Sequence, residues 1–298
     1  MLKKNKISRC LVGESILLFV TLCWGMSFPL VGNSVATVDP SVFVMVRFFL
    51  AALILLPFVF LEIKKSSKNV LVAGMIIAAF NVVVYISQTI GMQTVTSAEG
   101  SFITGISVVI VPFILPFFAL GKPSKKDILC SFLCLLGLFF LVGGNVSHLS
   151  TGDAWVLLCA IFVAITIVYL QKVSSVLSSL SLLAFYQIFF TGVFSIPFTL
   201  GKSFLPLLTY SVVGAILFCA LFATAIALLL QTKFQHYTTA NRAAMIFCFE
   251  PIFGSLFGYL INNEKIGWSV FIGGACILTG TIFSLIKVDK YQHFALDA

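Results

Sequence analysis

The chain has 298 residues, of which 60% are hydrophobic and only 9% are charged, and its mean hydropathy is +1.13. A soluble domain carries about 25% charged residues, so this composition excludes a soluble enzyme, a nucleic-acid-binding module and a disordered, tail-rich protein. The net charge of +8 therefore needs an explanation other than binding to nucleic acid.

Ten predominantly apolar segments follow one another along the chain, and a helix of about 20 such residues crosses the hydrocarbon core of a membrane. The segments are continuously apolar rather than alternating, which favours helices over strands. We therefore predict an all-α integral membrane protein with ten transmembrane helices. The approximate limits are 16–35, 42–61, 70–90, 98–120, 128–146, 154–171, 182–200, 205–230, 240–261 and 266–286.

The first segment resembles a signal peptide in two respects. It follows Lys3, Lys4, Lys6 and Arg9, and Ser34-Val35-Ala36 is similar to a cleavage site. Its apolar run is longer than the roughly 7–15 residues of a signal peptide, and it has a place in the repeat described below. We therefore predict that it is retained as a membrane helix.

Lysine and arginine are distributed unevenly between the predicted loops. Fourteen lie in one set of alternate loops, whereas only Lys202 and Lys265 lie in the other set. The positive-inside rule then places both chain termini in the cytoplasm of a multi-pass protein of the inner (plasma) membrane. The fourteen are Lys3, Lys4, Lys6, Arg9, Lys64, Lys65, Lys68, Lys122, Lys125, Lys126, Lys172, Lys233, Lys287 and Lys290.

The two halves of the sequence resemble each other at a nearly constant offset. Residues 46–58 align with 186–198 at an offset of 140, and Thr96-Ser97-Ala98 aligns with Thr238-Thr239-Ala240 at an offset of 142. Five crossings per half would insert the second half upside down, an arrangement typical of secondary transporters. We predict two inverted five-helix repeats, followed by a cytoplasmic tail. Their limits are 10–146, 152–288 and 289–298.

Five segments, in order along the chain, resemble EamA-type members of the drug/metabolite transporter superfamily. They are 23–29, 47–52, 96–105, 250–253 and 264–280. The resemblance implies ten helices in two EamA repeats and transport of a small organic solute such as an amino acid, nucleobase, vitamin or drug. The sequence departs from the family at one position: Lys122 replaces the glutamate expected at the end of the fourth helix. The equivalent glutamate after the ninth helix is present as Glu264.

Two charged residues lie inside predicted spans, where charges are costly and are functional candidates by default. Glu250 lies near the middle of the ninth span, before a proline expected to kink the helix. It could bind a substrate amine or carry a proton, or it could be a hydrogen-bonded packing residue. Arg47 in the second span could bind a carboxylate or phosphate, or it could snorkel outward or pair with helix-end carbonyls. Its repeat partner is Gln187.

Two further charges lie at span edges. Glu99 begins the fourth span, where it either stabilises a helix N-terminus or acts as an acid of an outer gate. Arg242 begins the ninth span, where we interpret it as a topology or lipid-headgroup residue, with an inner-gate cation as the alternative.

Aromatic and amide side chains in the spans could line a solute pathway, although packing explains aromatic residues equally well. Tyr85 and Gln88 are three residues apart and share a helix face. The complete set of predicted pathway residues is Trp24, Phe28, Arg47, Tyr85, Gln88, Glu99, Phe102, Tyr169, Tyr186, Gln187 and Glu250.

The sequence favours a transporter that works by alternating access, either proton-coupled or as a facilitated exchanger. The motifs HExxH and GxxxxGK[ST] are absent, so we predict no zinc protease and no ATP-driven pump, and we expect no catalytic residue, metal or cofactor. An intramembrane enzyme and a channel stay open as alternatives. The expected partners are a small-molecule substrate and membrane lipid, without nucleic acid, and the oligomeric state is left open, a homodimer included.

Overall fold

The computed structural model describes residues 2–64, 66–141 and 150–285, and these contain helices and no strand. The predicted tail at 289–298 and the ends of the fifth and tenth predicted spans lie outside these ranges. The helical segments, which we number in chain order, are α1 (Leu2–Val35), α2 (Pro40–Ile63), α3 (Lys68–Gly91), α4 (Ser97–Phe118), α5 (Lys125–Leu141), α6 (Thr151–Ser174), α7 (Leu180–Thr199), α8 (Tyr210–Tyr237), α9 (Ala240–Asn262) and α10 (Trp268–Leu285).

Eight helices are long and apolar enough to cross a membrane, namely α1 to α4 and α6 to α9. An all-helical membrane protein is therefore confirmed for the described part of the chain. The number of crossings stays a prediction, because the apolar part of α10 is shorter and α5 spans 17 residues. Helix α8 begins at Tyr210 rather than near residue 205, since a separate 3₁₀ turn containing Pro206 precedes it.

Helices of the two halves pack against each other rather than forming separate bundles. Extensive pairs are α5 with α10, α3 with α6 and α7, α2 with α7, and α1 with α9. Buried apolar side chains from both halves accordingly share the same core clusters. The outward faces of α5 and α10 carry exposed apolar side chains such as Leu129 and Phe271, as lipid-facing helices require.

The contact between α5 and α10 depends on two glycines. A Cβ atom built on Gly273 would lie 2.4 Å from the carbonyl oxygen of Gly137 and 2.6 Å from the backbone nitrogen of Leu141. Backbone atoms cannot move aside as a flexible side chain can. We expect Gly273→Ala to destabilise the protein by about 1–3 kcal/mol because it overpacks this contact.

The matched control is Gly214→Ala, on an exposed face of α8 where no atom lies within 4 Å of the added methyl group. It should stabilise the helix by about 0.5–1 kcal/mol, because alanine loses less conformational freedom on folding than glycine. Thermal unfolding in detergent would compare the two variants. Equal midpoints would mean that α5 and α10 do not pack in this way.

Three helices depart from regular geometry near the middle of the bundle. In α9 the helix is interrupted between Phe247 and Glu250, because Pro251 has no N–H to bond the carbonyl of Phe247. In α4 the helix is interrupted at Ile106. In α8, residues Leu221–Ile226 form a π-helical turn, a distortion found frequently at functional sites.

The bundle has two ends that differ in charge. Lys64, Lys126, Lys172 and Lys233 lie where α2, α6 and α8 end and α5 begins, and we call this the lysine-rich end. The opposite, lysine-poor end carries the loops after α1 and α7, where Asp39 and Lys202 form an exposed ion pair of 3.0 Å. Burial tends to raise the pKa of the Asp39 carboxyl, but hydrogen bonds from Ser41 and Lys202 hold it below its ordinary value.

Candidate functional site: a central polar cavity

A cavity lies in the middle of the bundle, between residues of α1, α2, α3, α4, α6, α8 and α9. The empty space at this position, open solvent included, is about 680 Å³. All three irregular helices contribute side chains to its wall. The cavity therefore lies where the helices are irregular, so that backbone groups without a partner in their own helix can bond to side chains of the wall.

Arg47 of α2 lies at the cavity wall and is only 2% exposed. Its Nε donates a hydrogen bond of 2.6 Å to Oγ1 of Thr224, and its Nη2 donates one of 3.1 Å to the carbonyl of Ala223. Both acceptors belong to the π turn of α8. The N–H of Ala227 bonds the carbonyl of Phe222, five residues back, so the α-helical partner of the Ala223 carbonyl is engaged elsewhere.

The Ala223 carbonyl also accepts a hydrogen bond of 3.1 Å from the indole Nε1 of Trp24. The π turn thus fixes the cavity faces of both α1 and α2. Two of the five donor hydrogens of a guanidinium are accounted for by these bonds of Arg47, which leaves donor capacity for an anion.

Glu250 of α9 is 8% exposed and lines the same cavity. Its carboxylate accepts no hydrogen bond and forms no ion pair with any residue that the structure describes. It lies in the first turn of the second half of α9, where the helix dipole favours a negative charge. A buried carboxylate without a protein partner is costly, so Glu250 is a candidate for binding a cation or a proton from outside the chain.

Arg47 lies beside aromatic rings of the cavity wall and forms no ion pair with Glu250. The guanidinium carbon of Arg47 lies 5.0 Å from the centre of the Tyr85 ring, within reach of a cation–π interaction. Trp24 and Phe247 pack edge to face at 5.2 Å, and both line the cavity. The wall therefore offers a cation, a carboxylate and apolar ring surfaces to one occupant.

Several polar wall residues were not among the predicted pathway residues: Ser27, Asn81, Thr104, Ser107, Thr166 and Gln231. Thr166 is buried and its hydroxyl oxygen has no hydrogen-bond partner among the described residues. Asn81 and Gln231 are amides inside apolar spans. They could have been predicted by the rule applied to Arg47 and Glu250, which selects polar side chains that interrupt an apolar run. The serines and threonines carry no such signal, because hydroxyls commonly bond their own helix.

Five of the eleven predicted residues line the cavity, namely Trp24, Arg47, Tyr85, Gln88 and Glu250. Tyr85 and Gln88 lie on one face of α3, as their spacing predicts, and Gln88 Nε2 donates a hydrogen bond of 3.3 Å to Thr104 of α4.

The other six predicted residues lie elsewhere. Glu99 is exposed at the lysine-poor end and forms a capping box with Thr96. Gln187 is buried and donates a hydrogen bond of 2.7 Å to Thr232, which joins α7 to α8. The remaining four are aromatic residues in packing contacts: Phe28 and Phe102 in one core cluster, Tyr186 in another, and Tyr169 against Phe80 and Phe118.

Arg242 is 6% exposed at the lysine-rich end. Its Nη1 lies 3.2 Å from Oε1 of Glu14, and its Nη2 donates a hydrogen bond of 3.1 Å to the carbonyl of Ser284. The interpretation of Arg242 as a headgroup contact is therefore wrong, because the guanidinium points into the bundle. Glu14 is not among the predicted residues because it precedes the predicted start of the first span.

The sequence matches the EamA-like transporter family twice, over residues 11–143 and 150–286. It is 31% identical over 272 residues to an uncharacterized transporter of Archaeoglobus fulgidus, covering 91% of this chain and 85% of that protein. It is 24% identical to the uncharacterized transporter YoaV of Bacillus subtilis, over 91% and 96% of the two chains. A crystal structure with 13% identity superposes with a TM-score of 0.73 over 92% of this chain and 96% of that one, which shows a shared fold. The two matched segments together span most of the sequence, and the chain therefore belongs to the EamA-like transporter family of the drug/metabolite transporter superfamily.

Proposed function

We propose that the protein is a secondary transporter for a small organic metabolite that carries both an anionic and a cationic group. The observation that supports this most strongly is the pair of buried charges, Arg47 and Glu250, which line one cavity without pairing with each other. An amino-acid-like zwitterion would supply the missing opposite charge to each. The rings of Trp24, Tyr85 and Phe247 would contact its apolar part.

The proposed pathway passes through this cavity and uses the five predicted residues that line it. We further propose ten crossings in two inverted repeats, at 10–146 and 152–288, with the lysine-rich end in the cytoplasm of an inner (plasma) membrane protein. The packing of α2 on α7 and α5 on α10 supports this arrangement, since equivalent helices of inverted repeats meet at the pseudo-two-fold axis. The other six predicted residues stay a prediction.

Alternating access fits this arrangement better than the two alternatives. A channel needs a route open at both ends in its conducting state, whereas buried hydrogen bonds join the helices at the lysine-rich end. An intramembrane enzyme needs metal ligands or a nucleophile hydrogen-bonded to a base near the cavity, and no hydroxyl of the described wall bonds to a histidine or carboxylate. The groups that line it are instead those of a binding site, and transport driven by a solute or proton gradient is the function that they suit.

A ligand-binding screen on the purified protein tests the proposal. Thermal shift would be recorded with a matched set of compounds: an amino acid with an aromatic side chain, the amine that lacks its carboxylate, and the acid that lacks its amine. Bound ligand stabilises the folded state by RT ln(1 + [L]/Kd). We expect the zwitterion to shift the midpoint most. Equal shifts with all three compounds would contradict a site that recognises both charges.

A further inference from the structure

We propose that the buried ion pair between Glu14 and Arg242 is the latch that holds the lysine-rich end closed. This inference rests on the proposed transport function and concerns how the cavity is sealed rather than what it binds. Glu14 belongs to α1 and Arg242 to α9. Their side chains are 8% and 6% exposed and lie 3.2 Å apart, so the pair joins the first and second halves of the chain.

A chain of hydrogen bonds connects this pair to the cavity. Gln231 lines the cavity and donates to Gln235 at 3.1 Å, and Gln235 donates to the carbonyl of Ile167 at 2.7 Å and to Gln171 at 3.4 Å. Gln171 then donates to the carbonyl of Thr238 at 3.0 Å. These bonds fasten α6 to α8 directly below the cavity.

The chain ends at the latch itself. The hydroxyl of Thr238 donates a hydrogen bond of 2.9 Å to Glu14, and Arg242 reaches across to the Ser284 carbonyl of α10. One carboxylate thus receives bonds from Thr238 and Arg242, and α1, α9, α10 and the connection between α8 and α9 meet around it. A solute could leave the cavity at this end only after these bonds separate.

The lysine-poor end is fastened differently. The ion pair between Asp39 and Lys202 and the hydrogen bond between Asn33 and Asn262 are exposed there. The carboxylate of Glu264 accepts a part-buried hydrogen bond of 3.2 Å from the backbone N–H of Ser97 and forms no ion pair with a described residue. Thr96, the repeat counterpart of Thr238, bonds to Glu99 of its own helix. The buried, inter-half ion pair is therefore present at one end of the described bundle and has no counterpart at the equivalent threonine of the other.

The energetics of a buried ion pair suit a latch. Removing the Glu14 carboxylate takes away the charged acceptor of the Arg242 and Thr238 bonds, and the loss of these charge-assisted bonds disfavours the closed arrangement. Water reaches both groups when the end opens, so the same substitution costs the open arrangement little. A single neutralising change should therefore shift the balance of states rather than weaken all of them equally.

The test is hydrogen–deuterium exchange of the full chain in lipid nanodiscs, without added solute, comparing wild type with Glu14→Gln. We expect exchange in peptides covering 9–16 and 235–246 to become about tenfold faster or more. We also expect slower exchange in peptides covering 33–41 and 198–204, because alternating access closes one end as the other opens. The matched control is Glu62→Gln, an exposed carboxylate at the same end that bonds to Ser179, and it should leave both regions unchanged.

Two results would overturn the proposal: unchanged exchange at the lysine-rich end, or faster exchange throughout the bundle, which would make the pair a general stabilising contact. If Glu14→Gln does not fold, Thr238→Val is measured in its place; it removes one hydrogen bond to Glu14 and keeps both charges, so we expect a smaller shift in the same two directions. The readout needs no solute, so it fails or succeeds independently of the proposed substrate. Loss of the proposed function would appear instead as absent transport by a protein that opens normally.

Discussion

Glu250→Gln is expected to lower solute binding and transport by about tenfold or more, while the midpoint of thermal unfolding stays the same or rises. A hydrogen bond to a charged group contributes about 1.5–3 kcal/mol, which is the order of the expected loss in affinity. Stability should not fall, because the carboxylate bonds to no described residue. Glutamine fills the same space and removes a costly buried charge.

The measurement is a binding isotherm and a thermal unfolding curve for the same preparation, followed by uptake into proteoliposomes. Glu62→Gln is the matched control, since it makes the same chemical change at an exposed position at the lysine-rich end and should leave binding and transport unchanged. A large drop in the unfolding midpoint together with normal binding would show that Glu250 is a packing residue and not a binding group.

Arg47→Gln is expected to have the second large effect, and it should differ in kind from the first. Both stability and binding should fall, because Arg47 bonds to the π turn and also faces the cavity. We expect about 1–3 kcal/mol of lost stability from the buried hydrogen bonds. The affinity for an anionic group should fall about tenfold or more, because a charge-assisted and bidentate donor is lost.

Two further variants separate these contributions. Thr224→Val removes the hydroxyl that accepts from Arg47 but leaves the guanidinium in place, so it reports the structural share alone. Arg47→Lys keeps the charge but loses the planar fork. With the matched compounds, Arg47→Gln should abolish the preference for the zwitterion over the amine, and Glu250→Gln should abolish its preference over the acid. An Arg47→Gln protein that still favours the zwitterion over the amine would contradict the assigned role.

The sequence predicts the helical architecture well because the membrane imposes a simple pattern. A span needs a long apolar run, and a charge inside such a run is conspicuous. Arg47 and Glu250 can be singled out on this basis alone, and Pro251 correctly marks an interruption of α9. The i,i+3 spacing of Tyr85 and Gln88 places them on one face, where the structure also has them.

Other features have no comparable signal. The π turn of α8 consists of apolar and small residues with a single threonine, and no pattern distinguishes it from a regular helix. Glu14 lies within a helix that extends well beyond its apolar run, so a hydropathy limit excludes it. Its importance depends on Arg242, which lies 228 residues away, and a single sequence does not reveal such a contact.

The aromatic residues illustrate a different limit. Phe28 and Tyr186 are aromatic residues within their spans, as Trp24 is, yet they pack in the core while Trp24 lines the cavity. Which way a ring points depends on how two helices are rotated against each other. Composition and spacing within one helix do not determine that rotation.

We propose that one solute bridges Arg47 and Glu250 in the cavity. An experimental structure of the protein with the zwitterion selected by thermal shift tests this most directly. We expect the anionic group of the solute at about 2.7–2.9 Å from the guanidinium of Arg47, and the cationic group beside the carboxylate of Glu250. A solute bound outside this cavity, for example in the groove beside Asp39 and Lys202 at the lysine-poor end, would contradict it.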